Sequence, residues 1–230
     1  MTGAAKSTRR RATGFTLVEL LIALAVMAML AMLSWQGLDT MSRTQTATRE
    51  RADQVLALQA GLSQWGADLE AVLQVPQLPA IDWDCRCLRI IRRSTDPGTT
   101  GLWVVAWTRR EVNGVPQWLR WQSPALSARG ELADAWQRAA NWAQNPSTED
   151  RQREVAVTPL ADWRIFYYRS DAWTNPLSSG AATIGTPAAA AADANLPDGV
   201  RLVLTLPPGT AITGTLTRDW VRPTQGGGKS

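Results

Sequence analysis

The stretch FTLVELLIALAVMAMLAML, Phe15 to Leu33, has Glu19 as its only charge. An apolar helix crosses a bilayer with about 20 residues at roughly 1.5 Å rise per residue, so this stretch is long enough to span. Lys6, Arg9, Arg10 and Arg11 precede it with no acid among them. Positive charge beside a span keeps that end in the cytoplasm. The reading is an anchor with its amino terminus inside and everything after Trp35 outside. A cleaved secretory signal would show a shorter apolar stretch, about 7–15 residues, followed by a small-residue cleavage site. Here the small pair Thr13-Gly14 lies before the apolar run, and the run passes without a break into a helical pattern.

Glu19 is the anomaly within this segment. A carboxylate in hydrocarbon costs about 2.5–3.5 kcal/mol on insertion scales, so it calls for a cation or for water. No Lys or Arg lies between Phe15 and Met41. Two readings stay open. Cutting between Gly14 and Phe15 would create an α-amino group four residues away, on this chain or a neighbouring copy, as a counter-ion. Otherwise Glu19 sits at the headgroup boundary and remains wet.

Arg9-Arg10-Arg11 followed by Gly14-Phe15-Thr16-Leu17-Val18-Glu19-Leu20-Leu21 resembles the type III signal of type IV pilins and type II secretion pseudopilins. The resemblance implies that a prepilin peptidase cuts between Gly14 and Phe15 and methylates the new amino-terminal Phe15. It also implies that Glu19 aids docking of the subunit onto a growing filament. The coincidence of leader, Gly-Phe junction, glutamate and apolar helix makes the motif specific.

Beyond the anchor no proline occurs before Pro76, so one helix can run from near Phe15 to near Gln74, about 90 Å at 1.5 Å per residue. Val55, Leu58, Leu62, Trp65, Leu69 and Val72 recur at intervals of three and four. That makes one apolar stripe, with Arg49, Asp53, Gln64 and Asp68 expected largely elsewhere. The stripe is too short for a coiled-coil assignment and is expected to pack on the chain's own globular part. Gly37, Gly61 and Gly66 each weaken the helix by about 1 kcal/mol relative to alanine.

After Pro76 the periodicity becomes that of strands. Leu88–Ile91, Leu102–Trp107 and Trp118–Trp121 read as strands, the last two joined by Asn113-Gly114, a hairpin turn pair. Glu131–Trp142 reads equally as helix or loop. Further strands are expected at Val155–Val157, Trp163–Tyr168, Val200–Leu206 and Thr213–Val221. The fold class is α+β: a long helix whose first half spans the membrane, and a mostly antiparallel β domain of the pilin-like kind that the resemblance implies. The expected divisions are a leader at 1–14, a span at 15–35, an amphipathic continuation at 36–75 and a β-rich periplasmic domain at 76–223. Within the last, 178–195 is poor in residues to bury and reads as a mobile surface loop, and the glycine-rich tail 224–230 is expected to fray.

Composition removes most catalytic classes. The 230 residues hold no histidine and two cysteines, which excludes a serine-histidine-acid triad, a cysteine-histidine dyad and common zinc sites. The net charge of +4 is accounted for by the leader, leaving a neutral remainder, so no nucleic-acid partner is expected. Cys85 and Cys87, facing an oxidising compartment, are candidates for a small-ring disulfide or a pair of tucked-in thiols. Asp82 and Asp84 lack the further ligands of a calcium loop and read as solvated loop acids. Twelve tryptophans are expected in the core and at subunit contacts rather than as a ligand platform. No enzyme activity, cofactor or metal is expected.

The order of elements also resembles the minor pseudopilin J branch of that superfamily. The matching features are Trp35-Gln36-Gly37-Leu38-Asp39, the end of the helix near Asp68-Leu69-Glu70, the Leu88–Arg93 strand, Leu160–Tyr168 before Trp173, and Leu196-Pro197-Asp198-Gly199-Val200. The alanine-rich stretch around 181–194 and the Cys85/Cys87 pair depart from it. The resemblance implies a subunit near the tip of a periplasmic pseudopilus in the inner membrane. It would help start assembly beside minor pseudopilins of the I and K kind and the major pseudopilin. Two alternatives remain: a minor pilin priming a type IV pilus, and a membrane-anchored periplasmic enzyme or sugar-binding module.

Overall fold

A computed structural model describes residues 14–94, 98, 101–169, 171–177 and 196–223. The leader before Gly14, the expected loop 178–195 and the tail 224–230 lie outside the described residues. The chain divides into two compact units, the first ending at Glu50 and the second beginning at Arg51.

Helix α1 runs from Leu17 to Glu70. Its part in the first unit is exposed on every side. From Gln36 onward that part is mostly polar, with Leu38 and Met41 exposed, and Thr40, Thr44, Thr46 and Thr48 each donate a side-chain hydrogen bond to the carbonyl four residues back. Asp39 and Arg43 add a helical ion pair at 2.8 Å. In the second unit Leu58, Gly61, Trp65, Asp68 and Leu69 form the buried face of α1. The helix stops at Glu70, short of Gln74, because the chain pairs with a strand instead. Leu73 N–H donates to Ile91 O, and Arg93 N–H to Ala71 O.

The second unit continues with β1 (Ile81–Trp83), β2 (Cys87–Arg93), β3 (Leu102–Val112) and β4 (Val115–Gln122). Helices α2 (Arg129–Gln144) and α3 (Thr148–Gln152) precede β5 (Glu154–Pro159). The remaining strands are β6 (Asp162–Arg169), β7 (Ala172–Thr174), β8 (Gly199–Leu206) and β9 (Gly214–Val221). One sheet has the order β1-β2-β3-β4-β5 and the other β7-β6-β8-β9, with every pairing antiparallel. The β3–β4 turn has Asn113 and Gly114 at φ of 52° and 77°, the left-handed pair that matches strand twist.

Strands β2, β3 and β4 of the first sheet are buried on both faces along their middles, which is why they read as apolar runs rather than strict alternation. Leu88, Ile90, Val105, Trp107 and Trp118 join the α1 stripe and the second sheet in one core. Ile91, Val104, Ala106, Leu119 and Trp121 face the other way. They meet α2 through Leu132, Ala135, Trp136, Ala139 and Trp142, an apolar stripe that resolves the helix-or-loop ambiguity in favour of helix. Each fully buried large aliphatic side chain contributes about 1.5–3 kcal/mol. Nine tryptophans are buried, among them Trp65, Trp107, Trp118, Trp121 and Trp142 at 0% exposure, so the indole complement is mainly core.

Candidate assembly site on the first helix

Gly14 and Phe15 precede α1, and the Phe15 ring is 88% exposed. Thr16 then starts the helix. Its N–H and its hydroxyl both donate to Glu19 Oε2 at 3.0 Å, and Glu19 N–H donates back to Thr16 Oγ1 at 3.3 Å. This is a reciprocal capping box, which satisfies helix-start donors that have no intrahelical acceptor. A negative charge in the first turn also complements the positive end of the helix dipole. Glu19 thus has a local partner set, distinct from both a counter-ion and water. The signal was present as Thr16-Leu17-Val18-Glu19, a T-x-x-E ahead of an apolar run.

These bonds involve Thr16 and not Gly14, so cleavage at Gly14-Phe15 would leave them available. Downstream the helix has an apolar window of mean hydropathy 2.5 with none of it buried, long and apolar enough to cross a membrane. Trp35, 74% exposed, stands at the end of that stretch.

The other candidate residues lie in the second unit. Cys85 and Cys87 are both free thiols, the first exposed and the second buried. Cys85 adopts φ of 72° in the β1–β2 turn, while Cys87 Sγ points to Ala139 O of α2 at 3.8 Å. Burial pushes the Cys87 thiol well above its usual range, and the Asp84 carboxylate adds to the effect. Asp82 and Asp84 are not simply solvated. Asp82 accepts from Arg89 on the neighbouring strand, and Asp84 Oδ1 accepts from Arg86 N–H at 3.0 Å and Cys87 N–H at 2.7 Å, which closes the turn.

Asp68, expected largely off the apolar stripe, lies on it. It faces the core at 0% exposure instead of lying off the apolar face. Its carboxylate accepts from Arg92 Nη1 at 2.6 Å, from Arg120 Nε and Nη2 at 2.8 Å each, from Trp107 Nε1 at 2.9 Å and from Gln64 Nε2 at 2.9 Å. These donors come from α1, β2, β3 and β4, so one buried anion ties the second half of α1 to three strands. Burial of a charge is tolerable here because its lone pairs are satisfied by cationic and neutral donors.

Residues 9–35 match a family model described as the prokaryotic N-terminal methylation motif. The chain is 41% identical over 64 residues to "Type II secretion system protein J" of Klebsiella pneumoniae, a match covering 28% of this chain and 32% of that protein. It is 24% identical over 186 residues to the protein of the same name from Vibrio cholerae, covering 73% of this chain and 76% of that one. The methylation motif and the two matches support placing the chain in the type IV pilin superfamily. Within it the chain is similar to pseudopilin J.

Proposed function

We propose that the chain is a minor pseudopilin of a type II secretion system, near the tip of the periplasmic pseudopilus. There it helps start the filament that exports proteins across the outer membrane. The observation that carries this reading is the methylation motif at 9–35 on a chain whose likeness to the Vibrio protein extends over 73% of its length. In this reading prepilin peptidase cuts between Gly14 and Phe15 and methylates Phe15. The first helix anchors the subunit in the inner membrane with its amino terminus cytoplasmic and its β domain periplasmic. Its neighbours are the I- and K-like minor pseudopilins and the major pseudopilin.

Leaving lipid for a bundle of helices gains little apolar burial, because lipid is equally apolar, so polar contacts set the register of the subunits. Glu19 provides such a contact. The Thr16 capping bonds support a carboxylate held at the helix start, beside the amine that cleavage would create.

Intact-mass and amino-terminal peptide spectra test the processing: the mature chain is expected to begin at methylated Phe15, and Gly14→Leu to accumulate the precursor. A mature terminus elsewhere would end the peptidase assignment. Glu19→Val is expected to be cleaved normally yet to lower secretion by about tenfold or more, the scale of a lost buried charge pair. Normal secretion by that variant would remove Glu19 from assembly.

A further inference from the structure

The β1–β2 turn brings two thiols within bonding reach but points them apart. Trp83 pairs with Leu88, and Asp84 N–H donates to Cys87 O at 3.3 Å, so Cys85 and Arg86 alone make the reversal. Cys85 takes the first of those two places with φ of 72°, where a hairpin turn of this length favours glycine. Two residues of chain span at most about 7 Å, and a turn spans less, so the backbone holds Cys85 and Cys87 within the separation a disulfide allows.

Direction is what keeps the sulfurs apart. The Cys85 side chain is exposed, whereas Cys87 is fully buried with its Sγ 3.8 Å from Ala139 O of α2. Cys87 and Ile91 belong to the same core cluster as Ala139 and Trp142 of that helix. On the same face of β2, the Arg89 guanidinium lies 4.9 Å from the centre of the Trp136 ring. The Cys87 sulfur is thus part of the surface on which α2 rests. Burial keeps it protonated, and so unreactive until it leaves that place.

We propose that Cys85 and Cys87 form a redox latch on α2. In the dithiol state the Cys87 sulfur sits under the helix; in the disulfide state it is bonded to Cys85, and α2 is loosened on β2. The proposal rests on the reading of the β domain as periplasmic, where a dithiol–disulfide oxidase is the electron acceptor. The exposed thiol reacts first. Cys85 gives up its proton, and its thiolate attacks the disulfide of the oxidase, expelling one thiolate and leaving a mixed disulfide. When α2 opens locally, Cys87 gives up its proton, and its thiolate attacks the Cys85 sulfur and expels the second thiolate of the oxidase. One S–S bond forms in the chain and one is lost from the oxidase, which takes two electrons and, as a dithiol, two protons. The closed ring then holds the Cys87 sulfur on the Cys85 side of the turn, away from Ala139.

The test uses the full chain in detergent, held first in dithiothreitol and then in oxidised glutathione, the probe that stands in for the oxidase. Oxidation is expected to give a chain lighter by about 2 Da and free of glutathione. Hydrogen exchange of the α2 amides is expected to rise about tenfold on oxidation and to fall back on reduction. Cys85→Ser is expected to keep the reduced mass and the slow exchange under both conditions. Should that variant fail to fold, alkylating Cys85 of the native wild type with iodoacetamide gives the same block.

A lasting glutathione adduct on Cys85, an unmodified chain, or an oxidised chain whose α2 exchanges as slowly as before overturns the latch. So does equal acceleration in Cys85→Ser. The compartment is read separately, by a membrane-impermeant maleimide applied to reduced spheroplasts, which is expected to label Cys85. Absence of label overturns the periplasmic reading and the latch with it, whereas label without ring closure overturns the latch alone.

Discussion

Residues 17–35 and 51–70 belong to one helix, yet they solve opposite problems. The first stretch is apolar all round and carries its carboxylate, Glu19, at the very start, where the helix's own donors hold it. The second is apolar on one face and carries its carboxylate, Asp68, in the middle of that face, where two arginines and an indole hold it. All-round apolarity tells of a surrounding supplied from outside the chain, lipid or other helices. One-sided apolarity tells of the chain's own core. A carboxylate is compatible with either, but the first is satisfied within a single turn and the second only by tertiary structure.

The difference breaks most sharply at those two acids. Asp68→Ala removes the carboxylate shared by Arg92, Arg120 and the Trp107 N–H, and is expected to lower unfolding stability by about 3–5 kcal/mol. Glu19→Val is expected to leave it unchanged, since among the described residues the side chain of Glu19 bonds within its own helix turn, to Thr16, and not to the β domain. Urea unfolding of the full chain in detergent, followed by tryptophan fluorescence, reads both. Comparable losses from the two variants would mean that α1 does not divide in this way.

Glycine gives the same contrast with opposite signs. Gly37 has open space around it, so Gly37→Ala is expected to add about 0.5–1 kcal/mol of helix stability. Gly61→Ala carries the same propensity gain but drives a methyl group into Val157 and toward the Trp118 ring, 3.2 Å away. A net loss of about 1–3 kcal/mol is expected, visible as a lower urea midpoint with an unchanged slope. Equal effects at the two positions would show that α1 can shift off β5 freely.

Local chemistry was readable in the sequence, and long-range convergence was not. Apolar spacing placed the α1 stripe, and Asn113-Gly114 placed the β3–β4 hairpin, because in both cases the deciding residues are neighbours. Asp68 read as a polar residue off the stripe because its partners Arg92 and Arg120 lie 24 and 52 residues away. Strands β1 and β7, three residues each, are too short to display a period, and neighbouring strands impose them. The capping of Glu19 by Thr16 was local and legible. It shows as T-x-x-E at the start of the apolar run, where backbone and hydroxyl donors hold a carboxylate without any cation.

The contrast between buried and solvated pairing can be sharpened with a third carboxylate. Arg201 Nε and Nη2 donate to Asp219 Oδ1 and Oδ2 at 2.8 and 2.7 Å, a bidentate geometry as good as that at Asp68, but on the open face of the second sheet. The guanidinium holds the Asp219 carboxyl below its usual value near 4. A folded pKa below the unfolded one means that the stabilisation is present above about pH 4 and is lost as pH falls through the folded value. Solvent screening keeps such an exposed pair to about 0.2–1 kcal/mol. The difference in urea midpoint between wild type and Asp219→Asn is therefore expected to be small and flat from pH 7 to pH 5. It should shrink below pH 4 and shrink again at 1 M salt. If instead Asp219→Asn cost as much as Asp68→Ala, pairing geometry alone would govern, and burial would not be what distinguishes the anion at residue 68.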